Sequence, residues 1–257
     1  MLRCLHALAL SLLAVLPAHA YDAQVLVDAR PGRMPVILAS PHDGTEAVPG
    51  VKARSGGVTV RDVNATLLAG RAADIIEKQT GRRPWIVAAR FSRKFIDANR
   101  SEQEAIESPE ALPAYNAYHA QLAQFIDQVK AKWPNGAILI DVHGQGDEPG
   151  AVFRGTRNGL SVKSLVAKYG VASTSGENSL LGQLQAAGYR TYPAPGEREV
   201  KLDGGNTVVQ YGSQHSGGID TIQLEFGRQL RDQQAGAEAF ASAILAFERA
   251  YLAGLKQ

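Results

Sequence analysis

Two histidines stand in parallel contexts. "PVILASPHDG" carries His42 and "AILIDVHGQG" carries His143. In both, an apolar run breaks into a turn at the histidine, with a glycine one or two residues further on. Neutral imidazole is a common zinc ligand, and a catalytic zinc takes three protein ligands while a fourth position stays open. A single strand-end histidine is more often a hydrogen-bonded structural residue; two in matching contexts carry the metal reading. A carboxylate would complete the set. Asp62, in "TVRDVNATLLAG", and Glu46, four residues after His42, are the candidates. Asp62 is preferred because it falls at the expected start of a helix that points back at the strand end. Its alternative reading is a helix N-cap, and that of Glu46 is a solvated loop charge.

Two further stretches could do chemistry. "ARFSRKFIDANR" packs Arg90, Arg93, Lys94 and Arg100 into one short segment, with Phe91, Phe95 and Ile96 as anchors and Asp97 to orient a neighbouring arginine. Fixed guanidinium groups bind carboxylates bidentately and can stabilise an oxyanion beside a metal. "TIQLEFGRQ" places Glu225 between Leu224 and Phe226. Burying that carboxylate requires a partner, Arg228 being the candidate for a structural ion pair. As a functional group, Glu225 would be a general base, with a pKa that burial raises toward the working pH.

The elements that must position these residues follow from periodicity. Strands are expected at Val25–Asp28, Val36–Ala39, Trp85–Ala89, Ile138–Val142, Thr207–Tyr211 and Thr221–Phe226. Several are continuous runs of Val, Ile and Leu, as suits strands covered on both faces. Helices are expected over Arg61–Gln79, Pro113–Trp133, Asn178–Ala187 and Gln233–Leu255. "FRGTRNGLSV" and "VKLDGGNTVVQ" read as hairpins from their Asn-Gly and Asp-Gly pairs. Alternating strands and helices predict an α/β sandwich. In open α/β sheets ligands sit outside the carboxyl ends of the strands, which is where His42 and His143 fall.

The whole chain sets limits. Its formal net charge is +2 with no block of like charge, so a nucleic-acid surface is not indicated. Residues 1–20, "MLRCLHALALSLLAVLPAHA", have Arg3 at the start, a short apolar core and a small-x-small end. They read as a secretory signal peptide. The only cysteine, Cys4, lies inside it, so the mature chain has no disulfide and no thiolate chemistry. No second apolar stretch is long enough to span a bilayer. The expectation is a periplasmic or secreted protein, not held to the membrane once the leader is cleaved, with one catalytic domain over residues 21–257.

"SPHDGTEAVPG", "RDVNATLLAG", "SRKFIDANR", "LIDVHGQG" and "IQLEFGRQ", in that order, resemble the N-formylglutamate amidohydrolase family. That family is grouped with zinc carboxypeptidases and aspartoacylase-like deacylases. The resemblance implies a phosphorylase/hydrolase-like three-layer α/β sandwich with a mixed, mainly parallel sheet and one Zn2+. It implies His42 and His143 as zinc ligands, with the acidic third assigned to Asp62, Arg93 as the group polarising the scissile carbonyl, and Glu225 as the catalytic carboxylate. Asn99 and Arg100 would grip a substrate carboxylate. Tyr118-His119 matches a family feature as well, with His119 read as structural; His215, in "GSQHSGG", receives no role. The expected substrate is a small molecule or peptide, an N-acyl amino acid or peptide-like amide with a free carboxylate. Two other readings remain open at this point. One is an exported binder of acidic small molecules; the other, ranked last, is a serine hydrolase using Ser216, for which no G-x-S-x-G elbow exists.

Overall fold

The structure, a computed structural model, describes residues 21–252. The expected signal peptide and residues 253–255 of the expected final helix lie outside the described residues. Among the described residues no helix is long and apolar enough to cross a membrane.

The elements in chain order are β1 (Val27–Arg30), β2 (Val36–Ser40), α1 (Ala65–Thr80), β3 (Trp85–Ala89), α2 (Glu102–Ala105), α3 (Leu112–Lys132), β4 (Ile138–Gly144) and β5 (Ala151–Gly155). They continue with α4 (Lys163–Tyr169), α5 (Ala172–Ser175), α6 (Leu180–Ala186), β6 (Arg190–Tyr192), α7 (Asn206–Tyr211), β7 (Asp220–Phe226), α8 (Arg228–Asp232) and α9 (Gln234–Phe247). The strands form one sheet in the order β1-β3-β2-β4-β7-β5-β6. The central run β3-β2-β4-β7 is parallel, β1 and β5 join it antiparallel, and β5 and β6 pair in parallel.

Side-chain alternation divides each central strand between two cores. Val36, Leu38, Ile138, Ile140, Ile222 and Leu224 pack with α1, α6 and α9 on one face. Ile37, Ala39, Val87 and Leu139 pack with α3 on the other. Burial on both faces explains why these strands read as continuous apolar runs. On the α3 face the same alternation carries Leu139 on to Asp141 and His143 along β4. It carries Thr221 on to Gln223 and Glu225 along β7. The apolar layer thus turns polar at the carboxyl end of the sheet.

Several expectations are corrected. Thr207–Tyr211 is not a strand but helix α7. Its first turn is held by Asn99, whose Oδ1 accepts from Thr207 N at 2.7 Å and from Thr207 Oγ1 at 3.0 Å. This contact between residues 108 positions apart overrides the β preference of Thr and Val. Neither proposed hairpin forms. After β5 the chain turns through Arg157 and Asn158 at positive φ into a 3-10 turn at Leu160–Val162, so β5 pairs with β7 and β6 instead. Helix α1 starts at Ala65 rather than Arg61, and its amino end is capped by Asp43, whose two carboxylate oxygens accept from Asn64 N and Thr66 N. Asp62 is therefore not the N-cap. The final helix gives way at Glu248 to a π-helical turn.

Candidate functional site

His42 lies two residues past β2, and His143 is the penultimate residue of β4, the next strand in the sheet. Their rings meet edge to face with centroids 4.7 Å apart. Asp62 is brought to them by its own backbone, Asp62 N donating to His42 O at 3.1 Å. Gly44 allows the turn after His42 to close on the next strand: a Cβ there would stand 2.2 Å from Phe91 O.

The polar contacts fix which ring nitrogens face inward. His42 Nε2 donates to Asp97 Oδ1 at 2.6 Å, and His143 Nε2 donates to Asp141 Oδ2 at 2.9 Å. Each imidazole is thus oriented by a buried carboxylate behind it, the arrangement that metal-ligating histidines commonly show. The two Nδ1 atoms converge on one carboxylate oxygen. His143 Nδ1 is 3.0 Å and His42 Nδ1 3.4 Å from Asp62 Oδ2.

A divalent metal ion fits this set. One donor atom from each of His42, Asp62 and His143 lies within 4.8 Å of the others. Donors at zinc-bond length from a shared tetrahedral ion stand roughly 3.3 Å apart. His42 Nδ1 is buried without a hydrogen-bond partner, an uncommon and costly state for a ring nitrogen that an ion would relieve. Around it, Arg54 and Arg93 pair with Asp97, Arg93 also lies beside Asp62, and Arg231 is near enough to Asp62 and Glu225 for its charge to act on both.

The protonation balance reflects this crowding. Burial alone would raise the Asp62 carboxyl, but the hydrogen bond with His143 and the His42 ring close beside it hold it well below the usual carboxylate range. Asp97 is likewise raised by burial yet held low by His42 and Arg93. Burial would push His143 down, whereas Asp141, Asp62 and Glu225 around it push it well above the ordinary imidazole value. Glu225 moves in the other direction, its carboxyl raised chiefly by burial.

The remaining expected residues fall at different distances from this centre. Glu225 is the direct cross-strand neighbour of His143, and Gln223 Nε2 donates to its Oε1 at 3.0 Å. Arg228, its expected partner, turns away to Asp232. Arg93 is buried against the centre, 2.9 Å from Asp97 Oδ2 and 3.6 Å from Asp62 Oδ1. Asn99 is buried too. Its carbonyl is taken by Thr207, and its amide nitrogen sits 3.1 Å from His143 Nε2. Arg100 is half-buried, with Nη1 donating to Asn99 O at 3.0 Å. Glu46 does not join the group: its carboxylate pairs with Arg90 at 2.7 Å near the surface. His119 packs among Tyr115, Tyr118 and Tyr211, and His215 bonds Val209 O at an exposed turn.

Three residues of the centre escape sequence reasoning. Asp141 lies in an apolar strand, and its only signal is its i, i+2 spacing to His143, which puts both on one face. Arg54 comes from an irregular loop and reaches to 3.7 Å from Asp97. Arg231 approaches from α8. Asp97 is noticed in the sequence, but only as a partner for arginine and not for His42.

No family model and no curated protein matches the chain. Solved structures do. The gene product Atu2144 from Agrobacterium tumefaciens superposes with a TM-score of 0.57 at 12% identity, covering 90% of this chain and 95% of that one. The N-formylglutamate amidohydrolase from Ralstonia eutropha JMP134 superposes with a TM-score of 0.60 at 16% identity, covering 88% of this chain and 96% of that one. The mixed, mainly parallel seven-stranded sheet with its flanking helices is thus an α/β fold similar to that of an N-formylglutamate amidohydrolase.

Proposed function

We propose that this protein is a metal-dependent amidohydrolase that cleaves an amide bond in an N-acyl amino acid or peptide-like substrate with a free carboxylate. The observation that carries the reading is the meeting of two imidazole Nδ1 atoms with the Asp62 carboxylate, beside Glu225 on the adjoining strand. The likeness of fold to an N-formylglutamate amidohydrolase supports it. His42, Asp62 and His143 would hold the ion, and zinc is an ion that suits two imidazoles and a carboxylate. When bound, it supplies Lewis acidity toward water and the scissile carbonyl.

The chain's own residues do the rest. Glu225, with a carboxyl raised by burial, accepts a proton from the attacking water and returns it to the leaving amine. Arg93 is held by Asp97 so that its charge lies beside the centre, where it stabilises the negative charge that develops on the carbonyl oxygen. Arg100 donates to Asn99 O through Nη1 and takes the substrate carboxylate with its remaining donors, which fixes the distance to the scissile bond. Asn99 supports from behind by fixing the first turn of α7 through Thr207. Export into a periplasm would confine the substrates to acylated amino acids and peptides found there.

The reading is tested with purified protein on a panel of N-acyl amino acids and short peptides. Hydrolysis that a chelator abolishes and zinc restores supports it; full activity after chelation defeats it.

A further inference from the structure

Arg231 makes contacts that the proposed chemistry does not require. It lies on α8, is 6% exposed, and directs its guanidinium nitrogens to three main-chain carbonyls. Nε donates to Phe226 O at 2.9 Å, Nη2 to Gln145 O at 3.2 Å, and Nη1 to Val63 O. These carbonyls come from three separate segments. Val63 follows Asp62, Gln145 lies two residues after His143, and Phe226 follows Glu225. No two of the segments are continuous in sequence, and each delivers one of the groups on which the site depends.

The guanidinium also explains a glycine. A Cβ at Gly144 would stand 2.6 Å from the Arg231 guanidinium carbon and 2.8 Å from Nε. The glycine after His143 is therefore what lets the guanidinium lie flat against the end of β4. A second bond runs beside this one, Asn64 Nδ2 donating to Asp232 Oδ1 at 2.8 Å, so α8 grips the Asp62 loop at two points. A planar group with five donors can serve three carbonyls at fixed angles; an ammonium, a point charge on a flexible stem, cannot. Every hydrogen bond of the guanidinium goes to a carbonyl, while the Asp62 and Glu225 carboxylates lie near enough to offset the cost of burying its charge.

We infer that Arg231 is a positioning residue that staples the Asp62 loop, the end of β4 and the end of β7 into one register, and so sets the geometry in which His143, Asp62 and Glu225 meet. Its link to cation binding rests on the metal reading above; the staple itself does not.

The test uses the full chain with Arg231→Lys, Arg231→Gln and Gly144→Ala, the last displacing the guanidinium without removing it. Arg228→Ala, on the exposed side of the same helix, is the control. Cobalt(II) titration, followed by visible absorption, reads the geometry of the centre. Hydrogen–deuterium exchange of the metal-free protein reads the three segments. The expected result is a loss of cobalt affinity of about tenfold or more, the size seen when a metal ligand loses its support. Exchange should rise in residues 62–64, 144–146 and 225–227 together, while β2 and β3 keep their protection. Arg228→Ala should match the parent in both. Cobalt affinity within about twofold of the parent in Arg231→Lys and Gly144→Ala, with unchanged exchange, would overturn the inference. A uniform rise in exchange across the sheet would also overturn it, because that is a generic loss of stability. If the parent takes up no cobalt, the metal reading fails, and exchange alone decides the staple.

Discussion

His143 and Glu225 are paired residue to residue on neighbouring parallel strands, β4 and β7, with both side chains on the face covered by α3. Adjacent strands lie about 4.8 Å apart, so the sheet itself fixes the spacing between an imidazole of the centre and the carboxylate proposed as base. No loop intervenes. The arrangement is as rigid as the sheet.

This predicts a separation of roles. Glu225→Gln keeps the shape of the side chain and removes its basicity. Turnover should fall about 10²–10⁴-fold, the usual contribution of a general base, while the cation content stays that of the parent. Metal analysis and steady-state kinetics on the same preparation check this. Loss of the cation along with the activity would make Glu225 a ligand instead.

Asp141→Asn and Asp97→Asn address the carboxylates behind the rings. Each replacement removes an acceptor charge from an imidazole N–H and should weaken cation binding by about 10–100-fold. Competition with a chromophoric chelator measures it. Unchanged affinity in both variants would mean that the rings are fixed by packing alone.

The central strands were legible because burial on both faces writes them as unbroken apolar runs, and the ends of β2 and β4 were legible because the runs stop at His42 and His143. The meeting of His42 and His143 follows from that alone. Other parts were not. Thr207–Tyr211 reads as a strand by its side chains, and only a bond from Asn99, over a hundred positions away, makes its first turn helical. Asp141 is hidden in an apolar run because the register to His143 is a property of the strand and not of composition. Arg54 and Arg231 reach the centre from a loop and a short helix whose placement no local pattern encodes. Asp62, preferred over Glu46 for its expected helix start, does stand beside His42 and His143, but a backbone bond to His42 O places it there rather than a helix start.

Arg100→Ala should raise KM for substrates with a free carboxylate by about tenfold or more and leave their amide-capped analogues nearly unchanged, because a charge-assisted bond of about 1.5–3 kcal/mol is lost only where the carboxylate exists. Parallel kinetics on matched pairs decide it. Equal losses for both members would remove the proposed recognition role.

His119 predicts a pH dependence of stability. Burial lowers its pKa to about 4 from an ordinary 6.5, with Ala98 and Asp141 opposing weakly. The folded protein therefore holds it neutral where the unfolded chain would protonate it. Its contribution is complete above pH 6.5 and is lost as pH falls toward about 4, by up to about 3 kcal/mol. Urea unfolding of the parent and of His119→Gln between pH 7.5 and pH 4.5 should show a shallower slope for the variant. Parallel slopes would place the acid sensitivity elsewhere.

The central claim is that His42, Asp62 and His143 hold a divalent ion that the reaction needs. Elemental analysis of the purified protein beside its amidase activity tests this most directly. The account predicts one zinc per chain, lost together with activity on chelation and absent from Asp62→Asn and His143→Ala. A chain free of metal that hydrolyses N-acyl amino acids at full rate would contradict it.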